Sequence, residues 1–167
     1  MTHSVGKRRK ARECVLQVLF QLEFNTTDAE SLIRRYWEYQ KVADDVKEYG
    51  NWIIEGIRAH SREVDAAIQS ASENWRIPRM AVVDRNILRI SVYELLFEKT
   101  LVPAIVINEA IEIAKKYSGE EASVFINGIL DAVRKALEAG NDSSKEGTDG
   151  KKRRFAKTGK KPAGTRN

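Results

Sequence analysis

The sequence predicts an all-α protein, with two groups of three helices followed by a disordered basic tail. Three observations lead there. Apolar residues from Ala11 to Leu137 recur in steps of 3, 4 and 7, the spacing that gathers side chains on one face of a helix. Pro78 interrupts the pattern near its middle. After Gly140 the chain turns to Gly, Ser, Thr, Lys and Arg with a single phenylalanine, Phe155, which is too little apolar surface to offset the entropy of ordering. A chain of 167 residues with 42% hydrophobic content has material for one core or two small helical subcores. The predicted organisation is a helical domain over 1–140, with halves of about 1–77 and 78–140, and a tail over 141–167.

Each element has its own signal. From Lys7 to Phe24 there is no Gly or Pro, and Ala11, Val15, Val18, Leu19 and Leu22 line one side of an amphipathic helix whose first turns are basic. Thr27, Asp28, Ala29 and Glu30 fit a capping box that opens a second helix, with Leu32, Ile33, Tyr36 and Trp37 as its stripe. Ala43, Val46, Ile53, Ile57, Val64, Ile68 and Ala71 predict one long third helix. Gly50 and Gly56 inside it either weaken it by ~1 kcal/mol each or let a neighbouring helix approach closely. Pro78 disfavours helical geometry at Ile77, so residues 74–79 form a hinge.

In the second half, Asp84 is placed to cap a helix carrying Ile87, Leu88, Ser91, Val92, Leu95 and Leu96. Pro103 opens the next helix, which runs through Val106, Ile107, Ala110, Ile111 and Ala114 to Tyr117 and ends at Gly119. Glu120 and Glu121 suit the positive end of a last helix, with Phe125, Ile126, Ile129, Leu130, Val133 and Leu137 on its apolar side and Gly140 as its stop.

The net charge of +5 is unevenly spread. Residues 1–12 carry five cations and no anion, residues 13–140 carry a net −6, and residues 141–167 a net +6 that includes the run Lys151 to Arg154. Basic ends on an acidic middle suit an anionic partner. Phosphate-cradling loops, dinucleotide fingerprints and nucleophile turns are all missing, so no enzyme class is indicated. The carboxylate pairs Asp44 with Asp45 and Glu120 with Glu121 read as solvated charges. Cys14 is the sole cysteine, which excludes an internal disulfide, and it sits on the apolar face of the first helix as a structural thiol. His3 and His60 give no zinc spacing. Neither metal nor cofactor is expected. No apolar run is long enough for a membrane span, and the basic N-terminus lacks the apolar segment of a secretory signal, so a cytoplasmic protein with no membrane partner is expected.

The basic stretch has geometry as well as charge. Lys7, Arg8, Arg9, Lys10 and Arg12 lead straight into the first helix, and there Arg8 and Arg12 share a face from which two guanidinium groups would meet successive phosphates. A solvated cluster is the plainer alternative. Cations position a nucleic-acid backbone without selecting sequence; that takes base edges and stacking partners. Phe20 and Phe125 are candidates for stacking, against the plainer reading of two core phenylalanines.

Taken together, the stretch from Arg8 to Cys14, the segment DRNILRISVYE (84–94), and VPAIVINEAIEIAKKY (102–117) joined to FINGILD (125–131) resemble the NusB family of transcription antitermination factors. The resemblance covers residues 7–139. It implies two three-helix bundles packed together, no catalytic step, and binding of a boxA element of nascent ribosomal RNA jointly with NusE, a ribosomal protein of the small subunit, within the RNA polymerase antitermination complex. By match, it assigns RNA binding to Lys7, Arg8, Arg9 and Arg12, to Phe20, and to Glu121 and Phe125 at the start of the last helix. The NusE-facing surface falls at Asp84, Arg85 and Glu94. Both a monomer and a homodimer are compatible with the resemblance, and the extension over 141–167 has no counterpart in it. A NusB-like domain also precedes the catalytic domain of certain ribosomal RNA cytosine methyltransferases, but too few residues follow the helices here for an α/β domain. A purely structural adaptor would need neither the basic arm nor RNA.

Overall fold

The structure is a computed structural model; it describes the backbone of residues 3–152 and the side chains of residues 6–142. Seven α-helices and one 3₁₀ turn account for the described elements: α1 His3–Phe24, α2 Ala29–Tyr39, α3 Asp44–Ala59, α4 Ser61–Ala71, the turn Ile77–Arg79, α5 Val82–Phe97, α6 Pro103–Tyr117 and α7 Glu120–Lys152. No strand occurs among the described residues. Of the described residues, those up to 134 make one compact unit and those from 135 to 152 belong to a second.

Helix α1 is the axis of the larger unit. It packs on α2, α3 and α5, while α5 also packs on α3, α4 and α6. The predicted stripe is its buried side, for Ala11, Val15, Val18 and Leu19 are all inside, along with Cys14 and Leu16. Ile53, Ile54, Ile68, Ile87, Leu88, Ile126 and Leu130 complete the fully buried core. Two glycines of α3 serve close packing. A Cβ at Gly56 would stand 1.9 Å from Cζ of Tyr93 on α5, and one at Gly50 would stand 2.8 Å from the ring of Trp37 on α2.

Four local expectations are corrected. The long third helix is two helices, α3 and α4, broken at His60, whose φ of −114° and ψ of 26° leave helical geometry. Ile57 and Val64 stay on the core side across the break, which is why the periodicity runs through it undisturbed. The ring of His60 lies 4.5 Å from that of Phe97. Asp28, not Thr27, caps α2, accepting from the Ser31 amide at 3.0 Å and from its hydroxyl at 2.9 Å. Helix α5 begins two residues before Asp84, at Val82, so Asp84 lies in its first turn, where a carboxylate still favours the positive helix end. Helix α7 does not stop at Gly140 but continues to Lys152; among the described residues only Gly119, at φ +116°, adopts the left-handed conformation that ends a helix. The segment expected as a tail is thus helical over 141–152, and residues 153–167, with Arg153 and Arg154 of the basic run, lie outside the described residues.

Candidate nucleic-acid interface

The arginines at the start of α1 meet different fates, because successive residues on a helix point about 100° apart and this helix runs into the core. Arg12 is inside: it is 3% exposed and gives a two-pronged bond to Glu94 of α5, Nε to Oε1 at 2.7 Å and Nη2 to Oε2 at 2.8 Å. Glu94 is fully buried and also accepts from the Tyr49 hydroxyl at 2.7 Å. Burial works against the charge of Arg12, but the bond to Glu94 and its negative charge more than compensate and hold the guanidinium above its ordinary pKa. Burial first, then the charge of Glu94, pushes the Tyr49 phenol up. Arg12 is therefore a core tie between α1 and α5, and Glu94 is no surface partner contact; both expectations are corrected.

Arg9 is tied outside that pair, forking onto Glu109 of α6 at 2.7 and 2.8 Å. Its hydrogen bond to Glu109 holds the Arg9 pKa up. Lys7 donates to Asp45 at 2.6 Å across an exposed pair. Among the described residues Arg8 makes no hydrogen bond: its guanidinium lies 4.6 Å over the ring of Tyr49, and Nη1 stops 4.0 Å from Glu98. Lys10 is exposed, with no ion pair among the described residues. Lys10 is thus the cation of this stretch with no ion pair among the described residues, and Arg8 is held by the Tyr49 ring and a long ion pair to Glu98 rather than by a hydrogen bond.

Beside them opens a cleft of about 580 Å³, walled by Lys7 and Arg8 of α1, by Asp45, Glu48, Tyr49 and Trp52 of α3, and by Glu98 after α5. The rings of Tyr49 and Trp52 stack at 5.6 Å with planes 23° apart, and Trp52 continues to Tyr93 at 4.8 Å. Tyr49 and Trp52 escaped sequence reasoning because nothing in α3 alone says that α1 lays an arginine on it.

The remaining expected residues fall elsewhere. Phe20 lies twelve residues beyond Arg8, about 18 Å along the helix axis, is 42% exposed, and pairs with the more exposed Phe24 at 5.0 Å. Between those two rings in sequence, Glu23 accepts a two-pronged bond from Arg85 at 3.0 and 2.7 Å and another from Arg89 at 3.0 Å. The Arg85 bond draws the Glu23 carboxyl below its usual range. Asp84, next to Arg85, accepts from the Ser118 hydroxyl at the end of α6. Phe20 thus shares the C-terminal part of α1 with Glu23, the residue that ties this helix to Arg85 and Arg89 of α5. Phe125 is half-buried against Trp75 at 6.2 Å, and Glu121 is exposed at the start of α7. No group of three or more His, Cys, Asp or Glu side chains is placed to hold a metal among the described residues, and no described helix is long and apolar enough to cross a membrane.

These features define a helical unit built around one central helix, whose cationic end is largely tied down by acids. The NusB family model matches residues 9–135. The chain is 41% identical over 150 residues to the transcription antitermination protein NusB of Thermodesulfovibrio yellowstonii, covering 84% of this chain and 99% of that one. Among solved structures it is similar to NusB of T. maritima, with a TM-score of 0.68 and 41% identity over 77% of this chain and 90% of that one. It is also similar to a chain in the crystal structure of antitermination factors NusB and NusE in complex with double-stranded RNA, with a TM-score of 0.71 and 30% identity over 78% of this chain and 97% of that one. The chain belongs to the NusB family.

Proposed function

We propose that this protein is a transcription antitermination factor that binds boxA RNA of nascent ribosomal transcripts jointly with NusE, and so favours processive transcription by RNA polymerase. It has no catalytic step, and it works in the cytoplasm, where that RNA emerges. The observation that carries the reading is the pair of cations that make no hydrogen bond among the described residues, Lys10 and the loosely held Arg8, at the start of the central helix of a NusB-family chain. Arg9 and Arg12 support it indirectly. By clamping α1 to α6 and α5 they hold the helix so that Arg8 and Lys10 meet phosphates without a further ordering cost. A solved relative in complex with NusE and RNA supports the choice of partners.

The NusE-facing surface of this reading is the start of α5 at Asp84 and Arg85, where Arg85 is bonded to Glu23 next to the exposed Phe24 of α1, while Phe20 stays in the reading as an RNA contact. Exposed aromatic rings next to charged groups of both signs have the make-up of a protein contact. Glu121 and Phe125 stay in the proposal as contacts at the start of α7.

The test is a fluorescence anisotropy titration of boxA-like single-stranded RNA and a scrambled control over a range of salt, with and without NusE. Preference for boxA that tightens with NusE is expected. Each of Arg8→Ala and Lys10→Ala lowers affinity and flattens the slope of log K against log salt by about 0.7. An unchanged slope in the double variant removes this end of α1 from the RNA site.

A further inference from the structure

Trp75, between α4 and the 3₁₀ turn, is 55% exposed. An indole covered on both faces shows only its rim, so this exposure leaves at least one face open. Its ring contact among the described residues is Phe125 of α7, edge-on at 78° with centroids 6.2 Å apart. Phe125 itself is half-buried, so the ring surface on offer beside the start of α7 is mainly that of Trp75.

Two further observations separate this tryptophan from a stray surface ring. The backbone that carries it is pinned. The Trp75 carbonyl accepts from Nε2 of Gln69 at 3.0 Å, its amide donates to the Ser72 carbonyl at 2.9 Å, and Oε1 of Gln69 accepts from the Ile77 amide at 3.2 Å. Ser72 before it and Ile77 and Met80 after it are buried, so the segment holds the indole outward and a ligand meets it without a large ordering cost. The charge beside it is cationic. Arg76 and Arg79 alternate with the buried Ile77 and Met80, are exposed, and form no ion pair among the described residues. Glu73 is the only acid in residues 72–81, so this segment is net positive inside the acidic middle of the chain.

We propose that Trp75 is a base-stacking platform of the RNA site: one unstacked base lies on its open face, Phe125 supports the ring edge-on, and Arg76 and Arg79 meet the neighbouring phosphates. An open aromatic face beside unpaired arginines is what single-stranded RNA requires of a protein surface. Every base has a face that stacks on an indole, so the platform adds affinity and fixes the register of the strand without choosing the base. A protein contact is the rival use of an exposed ring. It is disfavoured because the centre of such a contact is depleted of charge, whereas the exposed neighbours of Trp75 in sequence include Glu73, Asn74 and Arg76. The proposal rests on the RNA-binding reading above and adds a contact that lies off α1.

The experiment uses the full chain and reads the fluorescence of Trp75 as the difference between the wild type and Trp75→Phe, since Trp37 and Trp52 are common to both. A boxA-like single-stranded RNA is added with and without NusE, alongside a series of the same RNA in which each base in turn is removed. Stacking on the indole should quench the difference signal at saturation, and one missing base should abolish the quench. Trp75→Ala is expected to weaken binding roughly 5- to 150-fold, the span of one base stack, with the salt slope unchanged, while Trp75→Phe retains most affinity. The base whose loss abolishes the quench should be costly to the wild type and cost Trp75→Ala nothing. Arg76→Ala together with Arg79→Ala should flatten the salt slope by about 1.4. A Trp75 signal unmoved by saturating RNA, wild-type affinity in Trp75→Ala, or an unchanged slope in the double arginine variant overturns the platform, and RNA binding that still falls in Lys10→Ala then leaves the parent reading standing. Quenching by NusE alone, with RNA binding intact in Trp75→Ala, also overturns it and gives the ring to the protein partner. No RNA binding by the wild type overturns both.

Discussion

Replacing Arg12 by alanine separates two roles that a run of arginines invites one to merge. Arg12 and Glu94 are bonded at 2.7 and 2.8 Å with side chains 4% and 0% exposed, and Glu94 carries the Tyr49 hydroxyl as well. Removing one member of such a buried pair leaves the other charged and unpaired, at a cost of about 3–5 kcal/mol. For a compact unit of the described residues up to 134, 1 kcal/mol moves the midpoint by very roughly 3–5 °C, so Arg12→Ala should melt about 10–20 °C below the wild type. Circular dichroism at 222 nm reads this directly, and urea titration gives the free energy. Removing the charges together, as Arg12→Met with Glu94→Leu, should restore most of the loss, since buried pairs exchange for packed apolar groups at little cost. The recovery stays incomplete because Tyr49 is left without an acceptor, worth about 1–3 kcal/mol, and adding Tyr49→Phe should supply the remainder. An Arg12→Ala protein that melts like the wild type yet binds RNA several-fold more weakly would refute the argument and return Arg12 to the surface.

Other perturbations follow from the same contacts. Gly56→Ala forces a methyl into the Tyr93 ring and should cost at least about 1–3 kcal/mol in a urea titration; Gly56→Ala with Tyr93→Leu should recover part of it. The folded-state pKa of Glu23 is lowered, so its bonds to Arg85 and Arg89 contribute fully above the ordinary carboxylate value of 4.5 and fade as pH falls below it through the folded value. The stability gap between wild type and Glu23→Gln should therefore close between pH 5 and the acid limb, and a gap independent of pH would contradict the assignment. Phe24→Asp, at a ring 66% exposed, should leave melting nearly unchanged but weaken NusE binding in a pull-down or titration.

Much of the fold was legible because it rests on local rules. The stripe of α1, the start of α6 at Pro103 and the end of that helix at Gly119 are each written within a few residues. The break at His60 was hidden because Ile57 and Val64 keep their phase across it, so periodicity alone sees one helix. The caps failed for a similar reason: Thr27 and Asp28 can both cap, and only backbone geometry decides between them. The site was less legible than the fold because the partners of its cations are remote. Glu94 lies 82 residues from Arg12 and Glu109 lies 100 from Arg9. A signal was nonetheless present, since Ile87, Ser91 and Glu94 follow 4- and 3-residue steps on the core side of α5. A carboxylate on an apolar face requires a cation to meet it, and the only dense source of cations ahead of it is the start of α1.

That requirement changes how the charge of the N-terminal stretch should be counted. Five cations lie in residues 1–12, and if all were free, each would release a counterion on binding single-stranded RNA, adding about 3.5 to the salt slope at 0.7 per contact. Three are committed: Lys7 to Asp45, Arg9 to Glu109 and Arg12 to Glu94. Forming a phosphate contact with any of these would expose a carboxylate to the same phosphate, so the exchange returns little. Lys10 remains, together with Arg8, whose ion pair to Glu98 is long at 4.0 Å, and the two should contribute at most about 1.4. The Arg8→Ala, Lys10→Ala double variant should therefore lose nearly all of the salt dependence that this stretch supplies, and adding Arg9→Ala should change the slope little while loosening α1 from α6. A triple variant that loses a further 0.7 would show that the bond to Glu109 gives way when RNA arrives.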